Sequence, residues 1–479
     1  MTESRRSTEI SILGAGPAGL AAAWELARAG RDDILVIDKN AVPGGLSRTE
    51  THEGNRFDVG PHRFFTADRE VRSLWHDLLG DEFLPVQRLT RIFYRKRLFR
   101  YPLEAVDALK NLGLRESVTS MLSYLLARLK GGVDDAKTFE EWVSGRFGKK
   151  LYETFFRTYT EKVWGIPCRE IGAEWASQRI RGLDLKAVVT NALLKHRVKA
   201  KTLADEFDYP VLGAGMMYER MWERTASTRR ELISRAEVVR IRRAGMRITE
   251  IEVRTADGNI LRVNPAFVFS SIPLTHLLQM LEPAVPDDVG AAVAALYYRD
   301  HITVNIVADG ADLFPDQWIY VHAPDVKMAR LANFTNFSRR MAAKPDSSVI
   351  SLEYFTFRDD ALWRMTDDEL KRLAATELAS MGFLSPERIR GSFVTRETES
   401  YPTYFLGFQD AYATVRAFAM NLENLACIGR AGLYKYNNMD HSIATGLMAA
   451  RKLIGIAPAG DVWSLNTDEE YQENASRNV

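Results

Sequence analysis

Three glycines near the start of the chain have the spacing of a dinucleotide-binding turn. Gly14, Gly16 and Gly19 follow an apolar run at 9–13 and precede a helical pattern. The first glycine permits a tight turn, the second lets backbone approach a pyrophosphate, and the third lets helix and strand pack closely. The start of the helix, which contains Pro17 and Ala18, offers N–H groups and a positive dipole end to phosphates.

An acidic residue and a second glycine turn follow. Asp38 ends the next strand pattern, 19 residues after Gly19 and just before Lys39. A carboxylate at this point can accept hydrogen bonds from a ribose diol. The second turn includes an arginine able to pair with a phosphate, and it consists of Gly45, Leu46, Ser47 and Arg48. A domain that binds NAD does not need this second turn.

The glycine motifs, taken in order, resemble those of the FAD-binding superfamily that contains flavin amine oxidases, protoporphyrinogen oxidases and UDP-galactopyranose mutases. The strand pattern at 237–241 is similar to the superfamily's adenine-side ribbon, with Val238 as the expected contact. A later segment resembles its flavin motif at a helix N-terminus, with the expected binding residues Gly429, Arg430, Asn438, Met439, Asp440 and Ser442. The resemblance implies FAD as the cofactor.

The mutase branch is similar over most of the chain. Gly60, Pro61 and His62 resemble its flavin-side loop, whose histidine lies beside the isoalloxazine ring, so the resemblance makes His62 a cofactor-binding and catalytic candidate. Tyr159 and Trp164 match the branch's Tyr-Thr-x-Lys-x-Trp-Gly signature. Aromatic residues at this spacing form either core or a substrate wall.

Two arginines bear most on the substrate. In the mutases, arginines near the places of Arg179 and Arg330 face the substrate diphosphate. A guanidinium fork can grip two phosphate oxygens and stays charged in a closed site. Residues 179–201 have seven Lys and Arg residues against one Asp, which fits an electropositive cleft mouth or a solvated helix face. The resemblance adds candidate substrate contacts at Tyr401, Tyr404 and Tyr436.

Several positions depart from the mutase pattern. Phe65 stands at the second histidine-like position of the flavin loop, and Arg63 stands where the branch often has an apolar residue. Residues 208–216 replace the uridine-side turn with a glycine segment more like that of protoporphyrinogen oxidases. The nucleotide base and the sugar of the substrate are therefore left open.

The resemblance implies interconversion of the pyranose and furanose forms of a nucleotide sugar. In the mutases, the reduced flavin uses N5 as nucleophile at the anomeric carbon while the diphosphate leaves, without net redox change. Arg179 and Arg330 would stabilise that diphosphate, and His62 would hold the flavin edge.

Two alternatives share the glycine motifs. An oxidoreductase of the amine oxidase or protoporphyrinogen oxidase type, acting in natural-product or polysaccharide biosynthesis, would remove hydride from its substrate. The polar, arginine-bearing substrate side weighs against it. A non-catalytic relative without flavin is the other, and the intact glycine turns, Asp38 and Arg48 weigh against that.

Length and composition set outer limits. The 479 residues are 46% hydrophobic and 27% charged, as in globular chains of two to four domains. With 64 Lys and Arg against 63 Asp and Glu, a nucleic acid or an anionic membrane is not expected as the main partner. Cys168 and Cys427, far apart, indicate neither a disulfide framework nor a metal site, so a cytoplasmic location is expected. The expected partner is a small-molecule nucleotide sugar, and no membrane span is expected. Because bacterial mutases are often dimers, the resemblance also implies a homodimer.

The element patterns indicate an α/β fold, in which a Rossmann-like FAD-binding domain is interleaved with an antiparallel-sheet substrate domain and a helical insertion. The FAD-binding domain is expected to consist of three segments, 1–100, 206–285 and 406–460. The expected limits of the others are 101–205 for the helical substrate domain, 286–405 for the antiparallel sheet and 461–479 for the tail. Residues 237–261 are predicted to form a ribbon that turns at 257–258.

Overall fold

The computed structural model describes residues 3–103, 105–129, 133, 135–173, 175, 206–456 and 460–465. Two large sheets organise the described chain. The first has eight strands, in the order Leu281–Glu282, Glu237–Ala244, Arg247–Arg254, Ile260–Ser270, Glu3–Leu13, Ile34–Ile37 and Arg230–Ile233, with Leu425–Cys427 also paired to Ile260–Ser270. The second has seven, in the order Ile389–Pro402, Tyr298–Asp309, Ser347–Thr356, Arg330–Asn333, Trp318–Val321, Thr90–Tyr94 and Arg97–Arg100.

The centre of the first sheet is parallel. Glu3–Leu13 lies between Ile34–Ile37 and Ile260–Ser270, and both pairings are parallel. Arg230–Ile233 and Leu425–Cys427 extend this parallel part. Because parallel strands end at the same edge, the turns that follow them converge there, as ligand-binding turns of α/β sheets do.

The ribbon of the first sheet differs from its prediction. Glu237–Ala244 and Arg247–Arg254 pair antiparallel, and the chain first reverses at Gly245, which has φ 60°. The predicted turn at 257–258 is the second reversal, before Ile260–Ser270. A period-2 apolar pattern shows which face a residue takes, but it does not show where a strand reverses.

The second sheet is antiparallel except where Thr90–Tyr94 runs parallel to Trp318–Val321. Its central strand Ser347–Thr356 is buried along its whole length. One face packs on the helix Asp367–Met381. Thr90–Tyr94 and Arg97–Arg100 belong to this sheet, although the expected domain limits placed them in the first part of the FAD-binding domain.

The described chain also has two small two-stranded sheets and a set of α-helices. A hairpin pairs Thr49–His52 with Asn55–Asp58, and Phe83–Gln87 pairs antiparallel with the distant segment Glu206–Pro210. The α-helices described are Pro17–Arg28, Arg69–Leu79, Ala105–Leu112, Leu114–Leu129, Phe139–Phe147, Lys149–Leu151, Thr158–Trp164, Gly215–Thr225, Leu274–Gln279, Asp287–Ala295, Ala361–Arg364, Asp367–Met381, Phe408–Met420, Gly429–Gly432 and Met439–Leu453. None of them combines the length and apolar character that a bilayer crossing needs.

Small residues bring the first and last of these helices close together. A Cβ at Gly446, in Met439–Leu453, would lie 2.1 Å from the carbonyl oxygen of Ala18 in Pro17–Arg28. The buried residues of Pro17–Arg28 are mostly alanine and leucine. The start and the end of the chain therefore form one unit, which confirms the predicted fold class of an interleaved α/β domain with an antiparallel sheet and helices inserted.

Candidate active site

A cavity of about 1720 Å³ extends from the first glycine turn to the second sheet. Sites for a single small ligand usually measure about 300–1,000 Å³. The volume is enough for a dinucleotide together with a second ligand.

The two N-terminal glycine turns touch each other at one end of this cavity. A Cβ at Gly14, whose φ is 104°, would lie 2.2 Å from Ser271 Oγ, and one at Gly45 would lie 3.0 Å from the Cα of Gly16. The helix Pro17–Arg28 begins directly after Gly16, and no side chain caps its first N–H groups. Side chains would fill this cradle, so the turns fit the pyrophosphate of a dinucleotide. Pro17, Ala18, Leu46 and Ser47 also line the cavity.

Asp38 and Lys39 line the cavity beside these turns. The Asp38 carboxylate accepts hydrogen bonds from the backbone N–H of Ala15 at 2.6 Å and of Asn40 at 2.7 Å. Burial raises the pKa of this carboxyl above its usual value despite these two donors. Asp38 thus holds the first turn in place as well as facing the expected ribose position.

Two residues that the sequence predicted to bind the cofactor lie behind the cavity wall and do not line it. Arg48 does not line the cavity, and its guanidinium donates to Glu50, Glu397 and the Gly45 carbonyl. The prediction that Arg48 pairs with a phosphate is therefore corrected, because its donors serve to fix the second turn to the strand Ile389–Pro402. Gly19 also lies behind the wall; a Cβ there would be 1.9 Å from the Gly14 carbonyl oxygen, as expected for a packing glycine.

The predicted late motif borders the same cavity through Gly429, Arg430, Asn438, Met439, Asp440 and Ser442, and the adenine-side Val238 also lines it. The Gly429 N–H donates to Thr445 Oγ1 at 2.9 Å, and a Cβ at Gly429 would lie 3.0 Å from that of Ala18. Asp440 accepts a hydrogen bond from Thr66 at 2.9 Å. These contacts hold the N-terminus of the helix Met439–Leu453 beside that of the helix Pro17–Arg28.

His62 follows Gly60 and Pro61 on the cavity wall. Burial lowers the pKa of His62 to about 3, and the charge of Arg430 acts in the same direction. Its Nδ1 is buried and has no hydrogen-bond partner among the described residues. A neutral imidazole with an unpartnered nitrogen fits the edge of a bound flavin, because buried polar atoms are normally satisfied.

Arg330 places a positive charge at the end of the cavity that borders the second sheet. Its Nη2 lies 2.5 Å from Glu353 Oε2 and 3.1 Å from the Tyr401 hydroxyl, and its guanidinium lies 5.0 Å from the Phe355 ring centre. Burial acts to lower the pKa of Arg330, but Glu353 together with Tyr401, Tyr159 and Tyr436 outweighs it and raises the pKa. Its Nε is buried and has no hydrogen-bond partner in the described part of the chain, while the side chain as a whole is 16% exposed and lines the cavity.

A second guanidinium faces the same tyrosine. Arg430 lies 5.1 Å from the ring centre of Tyr401 and 4.8 Å from that of Tyr436, and its Nε donates to the Asn437 carbonyl at 2.7 Å. Tyr401 therefore stands between two cations. Such stacking favours both the guanidinium charge and a fixed ring orientation.

The predicted aromatic residues form a continuous wall. Trp164 stacks on Tyr404 at 6.2 Å, and the Tyr436 N–H donates to the Tyr404 hydroxyl at 2.7 Å. Tyr159 stacks on His322 at 4.9 Å. All of these residues line the cavity, so the two parts of the signature helix Thr158–Trp164 face the same space.

Three residues of this wall or its support were not predicted from the sequence. Trp175 packs edge-on against Trp164 at 4.7 Å, and His322 stacks on Tyr159. Glu353 pairs with Arg330. The signal available for Glu353 was an acidic residue inside an apolar strand run, because buried carboxylates are almost always paired.

The remaining predictions concern Lys162, Arg179 and metal binding. Lys162, in the middle of the Tyr-Trp signature, donates to the carbonyls of Val321, Ala323 and Met328, so it supports the structure. Arg179 and residues 179–201 lie outside the described residues. Within the described ranges, no group of three or more His, Cys, Asp or Glu side chains is arranged for a metal ion.

Comparison with known proteins gives a family match over most of the chain. The sequence profile of the family described as flavin containing amine oxidoreductase matches residues 17–454. Two curated relatives are similar over 34% of this chain: a probable UDP-galactopyranose mutase from Klebsiella pneumoniae at 27% identity, and a dTDP-fucopyranose mutase from Escherichia coli at 25%. A phytoene desaturase (neurosporene-forming) from Cereibacter sphaeroides is 45% identical over 13% of the chain. The chain spans 43%, 44% and 12% of these relatives' respective lengths.

Solved structures agree on the fold. A crystal structure of reduced UDP-galactopyranose mutase matches with a TM-score of 0.81 at 21% identity, covering 94% of both chains. A putative protoporphyrinogen oxidase from Exiguobacterium sp. 255-15 matches with a TM-score of 0.69 at 16% identity, covering 95% of this chain and 99% of its own.

Proposed function

This chain belongs to the flavin containing amine oxidoreductase family, and we propose that within it the chain is a FAD-dependent mutase that interconverts pyranose and furanose forms of a nucleotide sugar. Two mutases among its curated relatives support this reaction class. The observation that carries the proposal is the Arg330 cluster, in which a guanidinium fixed by Glu353 stands on the wall of the cavity that the glycine turns also border.

The chain's own residues would bind and orient two ligands. The N-terminal turns and the uncapped helix Pro17–Arg28 would hold the pyrophosphate of FAD, and Asp38 would face its ribose. His62, neutral across the physiological pH range, would hold the edge of the ring system. Bound reduced flavin would supply the nucleophilic chemistry at the anomeric carbon.

The substrate would lie between the flavin and the aromatic wall. Arg330, held by Glu353, would present its guanidinium to the diphosphate that leaves the sugar, and Arg430 would add positive charge beside Tyr401. Trp164 and Tyr436 would cover the sugar and exclude water. Arg179 stays a proposed second diphosphate ligand on the strength of the sequence alone.

The test is exchange between ring forms by the dithionite-reduced holoprotein. UDP- and dTDP-sugars are incubated with it anaerobically, and pyranose and furanose products are separated by chromatography. We expect Arg330→Lys to lower kcat/KM by about 10²-fold, because the charge stays but the forked donor is lost. Arg390→Lys is the matched control, since Arg390 is exposed and lies off the cavity wall.

Two results would contradict the proposal. One is the absence of any exchange with reduced protein across the nucleotide sugars, and the other is full activity of Arg330→Lys and Arg330→Ala. Stoichiometric peroxide from an amine, porphyrinogen or polyol, formed by the oxidised protein in air, would instead identify an oxidase.

A further inference from the structure

The helix Leu114–Leu129 has its apolar residues on the outside. Of the ten large hydrophobic residues that are exposed in the described chain, six lie on this helix: Leu114, Val118, Leu122, Leu125, Leu126 and Leu129. Leu114 and Leu129, at its two ends, are each 83% exposed. Scattered exposed leucines are normal, but six on one helix form a continuous patch that marks an interaction surface.

The buried side of the same helix is more polar than its exposed side. Ser117, Ser120 and Tyr124 are its buried residues. At 100° per residue these three fall within a narrow arc, and the six aliphatic residues fall within the opposite arc. The usual arrangement of a surface helix is therefore inverted, so packing against the described residues does not account for the apolar side chains.

Basic residues border the apolar face. Arg115 and Arg128 are exposed on the helix itself, Arg95 and Lys96 are exposed in the turn between two strands of the second sheet, and Arg97 is exposed at the start of the second of these strands. Arg97 donates to the carbonyl of Asn111 at 2.6 Å, which places this turn beside the start of the helix.

The nearest helix carboxylate is already paired. Glu116 lies 2.7 Å from Lys150 Nζ and 3.4 Å from Arg95 Nη1. Residues 101–205 contain 18 Lys and Arg residues against 13 Asp and Glu, whereas the whole chain has 64 against 63. This excess falls within 176–205, outside the described residues, whereas 101–175 has equal numbers of basic and acidic residues, so the cations that border the face are the five named above.

We infer that the helix Leu114–Leu129 docks this protein on an anionic lipid surface, with its leucines in the headgroup and acyl boundary and the flanking arginines on lipid phosphates. A helix with an apolar face bordered by cations binds membranes in this way without crossing them. Sixteen residues give a helix of about 24 Å, which lies in the plane of the interface.

A second copy fits the same surface less well. Glu116 is the only carboxylate on Leu114–Leu129 and is already ion-paired, so the same helix of a second copy would offer Arg115 and Arg128 no free counter-charge. Anionic headgroups would neutralise both arginines. The charge pattern therefore favours lipid over a homodimer on this face.

Vesicle flotation of the holoprotein tests the inference. Vesicles of equal parts phosphatidylcholine and phosphatidylglycerol are compared with vesicles of phosphatidylcholine alone, at low and high salt. We expect binding to the anionic vesicles that weakens at high salt. Leu122→Glu with Leu126→Glu should lower the partition coefficient at least about tenfold, and each of Arg115→Gln and Arg128→Gln about fivefold.

Met420→Glu is the matched control, because Met420 is a 52% exposed apolar residue at the end of another helix, and it should leave binding unchanged. All variants keep the flavin spectrum of the parent, which establishes that they fold. The absence of binding to anionic vesicles overturns the inference, and so does an equal loss in Met420→Glu. A dimer in solution that Leu122→Glu with Leu126→Glu dissociates, without vesicle binding by the parent, assigns the face to a second copy and also overturns it.

Discussion

Arg330 and Glu353 are directly paired across two adjacent antiparallel strands, with 2.5 Å between Nη2 and Oε2. Glu353 is completely buried, and burial acts to raise its pKa, but Arg330 and His301 together outweigh that effect and hold the pKa below its usual value. His301 Nε2 approaches the same Glu353 oxygen at 3.2 Å. The strand register, rather than a flexible loop, thus sets the position of the cation that faces the cavity.

Removing one partner of this ion pair is expected to destabilise the fold. Glu353→Ala should lower the free energy of unfolding by about 3–5 kcal/mol, because it leaves a buried guanidinium without its counter-charge. Glu353→Gln should cost less, since an amide oxygen can still accept from Arg330. Urea unfolding of the holoprotein measures both. Glu423→Ala, at an exposed position, should change the value by less than about 0.5 kcal/mol, and an equal effect at both sites would refute the argument.

A methyl group between the first and last helices is expected to loosen the cofactor cradle. Gly446→Ala places a Cβ 2.1 Å from the Ala18 carbonyl oxygen, so the helices must separate, at a cost of about 1–3 kcal/mol. The fraction of bound flavin in the purified protein should fall, and its absorbance measures this. Gly290→Ala is the control, because it lies in another helix and its Cβ would meet only Val285 at 3.9 Å. That change should leave flavin content intact and stabilise the helix by up to about 1 kcal/mol.

The neutral His62 predicts a specific pH dependence of stability. In the unfolded chain His62 takes up a proton below about pH 6.5, whereas in the folded protein it does so only near pH 3. Its contribution therefore lowers folding stability as pH falls through this window. His62→Asn removes that penalty, so the stability of the variant relative to the parent should rise by about 1.4 kcal/mol per pH unit below about 6.5.

Thermal or urea unfolding of both proteins between about pH 7 and about pH 5 measures the effect. His76→Asn is the matched control, because half of that side chain is exposed. A difference between His62→Asn and the parent that does not change with pH would mean that His62 is protonated in the fold.

Lys162 is expected to act on stability, although it lies inside the aromatic signature. Its ammonium donates to three carbonyls at 2.7–3.0 Å, and burial lowers its pKa to about 8. Lys162→Gln cannot satisfy all three acceptors and should cost about 2–4 kcal/mol in unfolding free energy. Lys149→Gln, on an exposed lysine, should cost less than about 0.5 kcal/mol. A large change in KM for a nucleotide sugar with unchanged stability would instead make Lys162 a substrate ligand.

Local patterns in the sequence were sufficient for the dinucleotide side. Gly14 and Gly45 occupy conformations and contacts that a side chain would block, and such requirements are visible in a single sequence as glycine spacing. The alternating strands and the helical runs likewise predicted an interleaved α/β chain. They did not locate the turn at Gly245, because alternation continues through it.

Charge partners and the solvent side of helices were decided only by the tertiary structure. Arg48 has the residue type of a phosphate ligand, yet it pairs with Glu397, which lies 349 residues away in the chain. Leu125 and Leu129 have helical spacing, but both are exposed, because spacing shows that apolar residues share a face and does not show what covers that face. The sequence by itself determined where the backbone of the site needs glycine. Only the contacts between distant parts of the folded chain determined which residue pairs with each charge and whether each helix face is buried or exposed.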